Sequence, residues 1–329
     1  MTASYAAAIE LRDVTKTFGS QTAVSNLDLS IPRGALYGFI GPNGAGKTTS
    51  IRMIMSILFP DSGELTVLGH SSALEAKDKI GYLPEERGVY RKMRVGAYLA
   101  FIAKLKGVPE KGLAERVRTL VARVGLAGVE SKRCEELSKG MSQKIQFVAA
   151  ILHEPELLIL DEPFSGLDPV SMRLLREQIV AEHERGATIL FSTHVMQQAE
   201  EICDHVVMIH RGRKVLDDPV SSIRRRYDPR ALVLEPLDAA ADVARVRALA
   251  EVESCAAHDG AYDVELRAGV DPAAAIARIA GVLPLARIEV KRSRLEDVFV
   301  QLVADGAESA EATRALRAEL AGHAERVAT

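Results

Sequence analysis

The most informative motif for the fold of this chain is "GPNGAGKTT", residues 41–49. It matches the pattern G-x-x-x-x-G-K-[ST] in full, and it lies between the apolar run "ALYGFI" (35–40) and a segment of helical character. Glycines let the backbone turn its N–H groups inward around a phosphate, and the start of a helix adds a partial positive charge. A strand, this loop and a helix in that order therefore predict a phosphate-binding site.

All nine residues of the loop are predicted to bind nucleotide, namely Gly41, Pro42, Asn43, Gly44, Ala45, Gly46, Lys47, Thr48 and Thr49. Lys47 is expected to reach the β- and γ-phosphates and to take part in catalysis, and Thr48 is expected to coordinate Mg²⁺. A helix is predicted after the loop from apolar residues at helical spacing, which are Ile51, Ile54, Met55 and Leu58.

A second element of the site is predicted in "LLILDEP", residues 157–163. Its four apolar residues predict a buried strand that presents Asp161 and Glu162 at its end. Asp161 suits the Mg²⁺ shell, and Glu162 suits the general base that polarises the attacking water. An acidic pair at a strand end is also a helix-start signal, but together with the phosphate loop it predicts hydrolysis.

The composition indicates a globular protein of two domains, one large and one small, in 329 residues. A hydrophobic fraction of 47% is enough for a core, and a net charge of −3 gives no support for nucleic-acid binding. The cysteines Cys134, Cys203 and Cys255 are far apart, which predicts neutral thiols in a reducing cytosol. Neither a signal peptide nor an apolar stretch of bilayer length is evident, so a soluble protein is expected.

The first 220 or so residues alternate strand-like and helix-like segments, which predicts a mainly parallel sheet with helices packed on it. Residues 96–126 are predicted to be helical. From about residue 229 the pattern becomes β-α-β-β-α-β, with its first helix in "DVARVRALAEV" (242–252), and this order resembles a ferredoxin-like sandwich. The basic run "RRRY" (224–227) at the junction is interpreted as a solvated face rather than a nucleic-acid patch.

A second helix start suited to an anion lies in "LSKGMSQK", residues 137–144. Ser138 can cap the helix, and Gly140 lets a ligand approach the backbone. With "LLILDEP", "SGLD" (165–168) and "STH" (192–194) in this order, the chain resembles an ATP-binding subunit of an ABC transporter over about residues 8–220. Other phosphate-loop families lack the Leu-Ser-x-Gly element, so the combination of motifs is specific.

The resemblance implies an ABC-type nucleotide-binding domain of the phosphate-loop NTPase fold over residues 1–225, with a helical subdomain at about 86–136. A C-terminal α+β domain (229–304) and a helical or disordered tail (305–329) follow. In the family, two such domains pack head to tail around two ATP molecules. The phosphate loop of one domain and the Leu-Ser-x-Gly helix of the other enclose each ATP. Ser138 and Gly140 are therefore expected to meet ATP held by a second copy, or by a related ATPase subunit.

Three further residues match family positions individually. Phe18 takes the place of an aromatic residue that stacks on adenine. The alternative is a phenylalanine of the hydrophobic core at the end of a strand. His194 resembles the histidine that touches the γ-phosphate. Asp168 resembles the residue that crosses the dimer interface and helps to set the partner's site, but it would also suit a helix cap. The implied cofactors are ATP and Mg²⁺.

Two departures from the family pattern are visible. Glu85 stands where most members have glutamine, and it is expected to ligate Mg²⁺; its charge is absorbed by the metal or offset by Arg87. The same Glu-Glu-Arg variant occurs in the ATPases of drug- and sodium-efflux exporters. Lys139 and Met141 stand where glycine and glutamine are commoner, and Lys139 either adds positive charge or points to solvent.

The resemblance implies an ATPase that drives export by a separately encoded integral membrane permease, and that is held by it at the inner face of the cell membrane. Tyr82, Val89, Tyr90 and Met93 either contact that permease or pack within their own subdomain. The alternative function is a soluble ABC ATPase acting on ribosomes or DNA, and no nucleic-acid partner is expected under the main hypothesis. The C-terminal domain is interpreted as a dimer-stabilising appendage or a small-molecule sensor.

Overall fold

The computed structural model of the chain describes residues 7–86, 88–227, 230–238, 241–258, 260–291 and 293–305. These residues form two compact units, one that runs to Val220 and resumes at Leu302, and one that spans Ser221–Gln301. The domain limits given above stay predictions. The predicted tail lies outside the described residues except for its first residue, and so does Arg87.

The first unit is an α/β structure. Its strands are β1 (Ala7–Phe18), β2 (Gln21–Pro32), β3 (Leu36–Ile40), β4 (Ser62–Val67), β5 (Ile80–Leu83), β6 (Leu157–Asp161), β7 (Thr188–Thr193), β8 (His205–His210) and β9 (Arg213–Pro219). Its α-helices are α1 (Lys47–Ile54), α2 (Val95–Leu105), α3 (Leu113–Arg123), α4 (Lys139–Ile151), α5 (Pro169–Glu184) and α6 (Met196–Ile202). Short 3₁₀ turns lie at Ala73–Lys79, Val129–Ser131 and Cys134–Glu136.

Six strands form the main sheet in the order β5-β6-β7-β3-β8-β9, and only the last pair is antiparallel. All residues of β3, β6 and β7 are buried, as expected for strands covered on both faces. The predicted mainly parallel sheet is thus confirmed. Because β5, β6, β7 and β3 are parallel neighbours, their carboxyl ends meet at one edge of the sheet, where ligands of such folds bind.

The remaining strands form an antiparallel sheet in the order β2-β1-β4. Its apolar residues Ile9, Leu27 and Val67 share one hydrophobic core with Phe39 and Ile159 of the main sheet. The helices α2 and α3 occupy the region that the sequence predicted to be helical, and both pack against α4.

The helix after the phosphate loop is shorter than the apolar spacing predicts. It ends at Ile54, four residues before Leu58, because Ser56 adopts a φ of 55° and turns the chain out of the helix. The Ser56 hydroxyl accepts a hydrogen bond of 3.0 Å from the backbone N–H of Ala73, and this bond holds the turn. A prediction from periodicity alone does not detect such a tertiary contact.

The second unit has the element order β-α-β-β-α-β. Its elements, with the helices that flank them, are α7 (Val220–Arg226), β10 (Ala231–Pro236), α8 (Ala244–Arg247), β11 (Val252–His258), β12 (Ala261–Leu266), α9 (Pro272–Val282), β13 (Leu285–Val290) and α10 (Leu295–Asp305). The sheet order is β11-β12-β10-β13, with every neighbouring pair antiparallel. The helix predicted over 242–252 is wrong in length, since α8 has 4 residues and β11 begins at Val252.

Two general features concern both units. None of the described helices is long and apolar enough to cross a lipid bilayer. Cys134 and Cys203 are buried free thiols, and Cys255 is a half-buried free thiol, so the described cysteines form no disulfide.

Candidate active site

The phosphate loop joins β3 to α1 at the carboxyl edge of the main sheet. Gly41 has a φ of 155°, and a Cβ atom there would lie 2.2 Å from the carbonyl oxygen of Ile209. Gly46 caps α1 with a φ of 108°, and its Cβ atom would lie 2.5 Å from the carbonyl oxygen of Ala23. These close backbone approaches require glycine at both positions.

Lys47 is folded into the loop that precedes it. The side chain is buried, and Nζ donates to the carbonyl oxygens of Gly41 at 2.6 Å and Pro42 at 3.1 Å. Burial lowers the pKa of Lys47, while the negative charges of Glu162, Asp161 and Glu85 act in the opposite direction. The three carboxylates therefore offset part of the cost of burying the Lys47 ammonium group.

Asp161 is the last residue of β6 and lies beneath the loop. It is 1% exposed, and neither carboxylate oxygen makes a hydrogen bond of good geometry to the described residues. Burial raises the pKa of Asp161 to about 6, helped by the charges of Glu162 and Glu85 and opposed by the Ser192 and Thr48 hydroxyls. A buried carboxylate with unsatisfied oxygens is an oxygen donor suited to a hard cation or its water shell.

Glu162 and His194 form a hydrogen-bonded pair at the ends of the neighbouring strands β6 and β7. Glu162 Oε1 accepts from the His194 backbone N–H at 2.8 Å and from Nδ1–H of its ring at 2.7 Å. The hydroxyl of Thr193 lies 3.3 Å from Glu162 Oε2, but its single proton has a shorter bond of 2.9 Å to Gln198 Oε1. Glu162 itself has a φ of 50°, a left-handed conformation that is uncommon for a non-glycine residue.

An open cavity of about 550 Å³ lies above these groups. Nine predicted site residues line it, which are Phe18, Asn43, Gly44, Gly46, Lys47, Thr48, Thr49, Glu85 and Glu162. Phe18 is 50% exposed, which is unusual for a large aromatic residue and suits a planar ligand. The volume is in the range of cofactor and nucleotide pockets.

The other eight predicted site residues do not line the cavity. Five of them directly adjoin lining residues in the sequence or contact one, namely Gly41, Pro42, Ala45, Asp161 and His194. The remaining three, Ser138, Gly140 and Asp168, belong to a different place. Ser138 caps α4, and its hydroxyl accepts from the backbone N–H of Met141 at 3.2 Å. The carboxylate of Asp168 caps α5 by accepting from the backbone N–H of Ser171 at 2.9 Å and from its hydroxyl at 2.7 Å. These bonds lower the pKa of Asp168.

Sequence reasoning missed five residues that line the cavity, which are Gln21, Thr22, Ala23, Arg211 and Gly212. Gly212 lies in the turn between β8 and β9, and its N–H donates to Ala45 of the phosphate loop at 2.8 Å. The "RG" pair at 211–212 indicates a turn. Because this pair is far from the phosphate loop in the sequence, its contact with the loop could not be predicted. Tyr82, on β5, packs against the main core and not within the helical subdomain.

The chain was compared with known proteins. Residues 24–165 match the ABC transporter family. An uncharacterized ABC transporter ATP-binding protein of Bacillus subtilis (strain 168) is 44% identical over 225 residues, which cover 68% of this chain and 76% of that protein. The bacitracin transport ATP-binding protein of Bacillus licheniformis is 32% identical over 303 residues, 91% of this chain and 98% of that protein. A solved structure of an ATP-binding subunit of an ABC transporter is 32% identical with a TM-score of 0.62, covering 67% of this chain and 92% of that chain.

Proposed function

Because the chain belongs to the ABC transporter family, whose ATP-binding domains hydrolyse ATP to power transport, we propose that it pairs head to tail with a second ATP-binding subunit around two ATP molecules. The observation that carries this proposal is the separation of the predicted residues. Phe18, Lys47 and Glu162 share the cavity, whereas Ser138 caps an exposed helix start outside it. A second subunit would bring that helix start to the ATP of the first.

ATP is proposed to lie along the cavity with its adenine on Phe18 and its phosphates on the loop. The backbone N–H groups at the start of α1 have no side-chain cap, so they are available to phosphate oxygens. Lys47 would then exchange its bonds to the Gly41 and Pro42 carbonyls for the β- and γ-phosphates. The Lys47 ammonium group would then interact with the phosphates as well as with the carboxylates of Glu162, Asp161 and Glu85.

Mg²⁺ is proposed to be held by Thr48, Asp161 and Glu85 together with the phosphates. The unsatisfied buried oxygens of Asp161 and the exposed carboxylate of Glu85 fit a hard cation, which prefers oxygen ligands. A small protein ligand set is sufficient, since Mg²⁺ keeps waters and binds substrate phosphates. When bound, the ion would neutralise charge on the phosphates.

Glu162 is proposed to act as the general base. It would accept a proton from water while the water oxygen forms a bond to the γ-phosphorus and the bond from that phosphorus to the leaving oxygen of ADP breaks. The two hydrogen bonds from the backbone N–H and the ring of His194 hold the Glu162 carboxylate in place. His194 would contact the γ-phosphate from the same position.

The extra charge of Glu85 is proposed to be absorbed by the metal ion or offset by Arg87. Glu85→Gln should keep ATPase turnover within about tenfold of the wild-type value, equivalent to about 1.4 kcal/mol in the barrier. Steady-state turnover and ATP affinity of the two proteins would be measured side by side. Complete loss of turnover with normal ATP binding would assign the carboxylate a specific role instead.

The transport step is proposed to be export through a separately encoded membrane permease, which would hold the chain at the inner face of the membrane. The bacitracin transport relative supports a role in transport, and the Glu-Glu-Arg variant at 85–87 supports export. Tyr90, with 55% of its surface exposed, lies edge-on to the half-exposed Phe101 at 5.7 Å between ring centroids. With Val89 and Met93 nearby in the sequence, this aromatic pair is the proposed permease contact.

The test uses the Glu162→Gln variant. With ATP and Mg²⁺ it should bind nucleotide, fail to turn it over and accumulate as a dimer measurable by light scattering, whereas ADP should leave it monomeric. The same variant should co-purify with a co-expressed permease subunit. Full turnover by a strictly monomeric wild-type preparation that is also indifferent to Ser138→Ala would contradict the proposal.

A further inference from the structure

The backbone on either side of the catalytic carboxylate is held in an unusual way. Glu162 is in the left-handed region, which disfavours a residue with a Cβ atom, so the surrounding structure must stabilise this conformation. Its own N–H donates to the Ser192 carbonyl oxygen at 3.0 Å. On the other side, its carbonyl oxygen accepts from the Ser165 N–H at 3.1 Å.

A side chain from α4 makes the remaining contact. Gln143 is 1% exposed, and its Nε2 donates to the carbonyl oxygen of Pro163 at 3.2 Å, with a weaker contact of 3.5 Å to that of Glu162. A buried amide is retained where its hydrogen bonds compensate for the loss of water. The two carbonyl groups that Gln143 contacts belong to Glu162 and Pro163, whose backbone conformation orients the Glu162 carboxylate.

We propose that Gln143 is a positioning residue for ATP hydrolysis, which keeps Glu162 aimed at the attacking water by anchoring the turn that carries it. This inference rests on the proposed function in taking Glu162 as the general base. Among the described residues, the side-chain hydrogen bonds of Gln143 go to the turn of Glu162 and not to the phosphate loop or Phe18. Replacing Gln143 should therefore affect water activation more than ATP binding.

The anchor also lies on the helix whose first turn is proposed to meet the partner's ATP. Ser138 caps α4 only five positions before Gln143. The next residue, Lys144, donates from Nζ to the Ser171 hydroxyl at 3.3 Å, and that hydroxyl donates to Asp168. A rigid 13-residue helix thus connects the contact with one ATP to the base that acts on the other.

The first experiment is Gln143→Met, which keeps the side-chain length and removes the donor. Turnover per folded molecule should fall at least tenfold, while the dissociation constant of ATP stays within threefold. Thr188→Val is the matched control, because Thr188 is also 1% exposed and its hydroxyl accepts a buried bond of 2.9 Å from Gly34 N–H at the opposite end of β7. It should lower the thermal midpoint without changing turnover.

Equal turnover in Gln143→Met and Thr188→Val would overturn the inference. If the methionine variant does not fold, Gln143→Leu, which is of similar size and also lacks a donor, is judged by the same criterion. Glu162→Gln is assayed in parallel. If Glu162→Gln retains turnover, the proposed function is contradicted. If Glu162→Gln is inactive and Gln143→Met is fully active, only the inference about Gln143 is contradicted.

The connection through α4 is tested by a double-mutant cycle with Ser138→Ala. If the helix transmits the contact, Gln143→Met and Ser138→Ala act on one step, so the double variant should lose less turnover than the product of the two single losses. A double variant whose loss equals that product would show that the two residues act independently, and the proposed transmission would be wrong.

Discussion

Two helices of the first unit begin with a sequence suited to an anion, and their surroundings differ. At the start of α1, Gly46 offers no side-chain cap, and the chain surrounds the exposed N–H groups with Lys47, Phe18 and Glu162. At the start of α4, the Ser138 hydroxyl caps the helix on an exposed surface, and Gly140 lies against the loop at Gly166.

This difference agrees with the proposal that α1 carries most of one ATP site, whereas α4 contributes to the site of a second subunit. The α1 site has loop, cation and carboxylates from one chain, because five parallel strands end at the same edge of the sheet. The α4 start has a cap and a glycine, which supports the proposal that its ligand arrives with another subunit. Substitutions at the two helix starts should therefore have different effects.

The largest effect is expected for Gly46→Ala. An alanine there would need a φ of 108° and would place Cβ 2.5 Å from a backbone oxygen, so the loop must deform. The ATP dissociation constant should rise at least about a hundredfold, or about 2.7 kcal/mol. Equilibrium binding of a fluorescent ATP analogue measures it.

The control is Gly140→Ala at the second helix start. There a Cβ atom would meet only the flexible Leu167 side chain at 3.3 Å and Gly166 O at 3.5 Å, at an ordinary φ. ATP binding should stay within about threefold, or about 0.7 kcal/mol, while turnover falls. Equal losses of binding in both variants would contradict the distinction between the two sites.

Ser138→Ala should reduce turnover about tenfold or more, because it removes a contact proposed to act on the partner's ATP. It also removes a helix cap, which costs about 1 kcal/mol of stability. The matched control is Asp271→Ala, which removes the cap of α9 in the second unit, where the carboxylate accepts from Ala273 and Ala274 N–H groups. Steady-state assays should show normal turnover in that control; reduced turnover in both would make the effect of Ser138 one of stability.

The next prediction concerns His153, which lies two residues beyond the end of α4, and the pH dependence of stability. Burial lowers the pKa of His153 to about 4, and the positive charges of Lys106 and Arg116 act in the same direction. A 3.1 Å hydrogen bond from His153 to the Ile80 carbonyl and the negative charge of Asp78 oppose this shift. The unfolded chain therefore takes up a proton between about pH 6.5 and pH 4 that the folded chain rejects, and stability falls as the pH falls through that window.

His153→Gln keeps a donor to Ile80 and removes the titration. Between pH 7 and pH 4.5 this variant should lose about 1 to 2 kcal/mol less stability than the wild type, a value reduced for the partial exposure of the imidazole. Urea unfolding at both pH values measures the difference. Identical pH dependence in the two proteins would contradict the assignment, and turnover at neutral pH should be unchanged.

The smallest effect is expected at the adenine end of the cavity. Phe18→Leu should weaken ATP binding about fivefold, or about 1 kcal/mol, because it removes the aromatic stack and keeps an apolar side chain. Phe59→Leu is the control, since Phe59 is 68% exposed and does not line the cavity. Equal affinities in the two variants would remove Phe18 from the nucleotide site.

Local patterns were sufficient where the determining contacts are local. The phosphate loop and the pair Asp161 and Glu162 were recognised because each is one short segment at a strand end. The helix over 242–252 and the extension to Leu58 were wrong, since apolar spacing continues past the point where tertiary contacts end a helix. Arg211 and Gln143 were missed because their partners are remote in the chain.

Short motifs with specific backbone and charge requirements were enough to predict the family, the mainly parallel sheet and the ATPase activity. The three-dimensional packing was needed to show which candidate residues share a cavity and which do not. The parallel order of β3, β5 and β6 brings Lys47, Glu85 and Glu162 to one edge of the sheet. In the sequence, β3 and β6 are more than one hundred residues apart. It also placed Gln143 against the turn of Glu162, since a buried amide must find its partners in three dimensions.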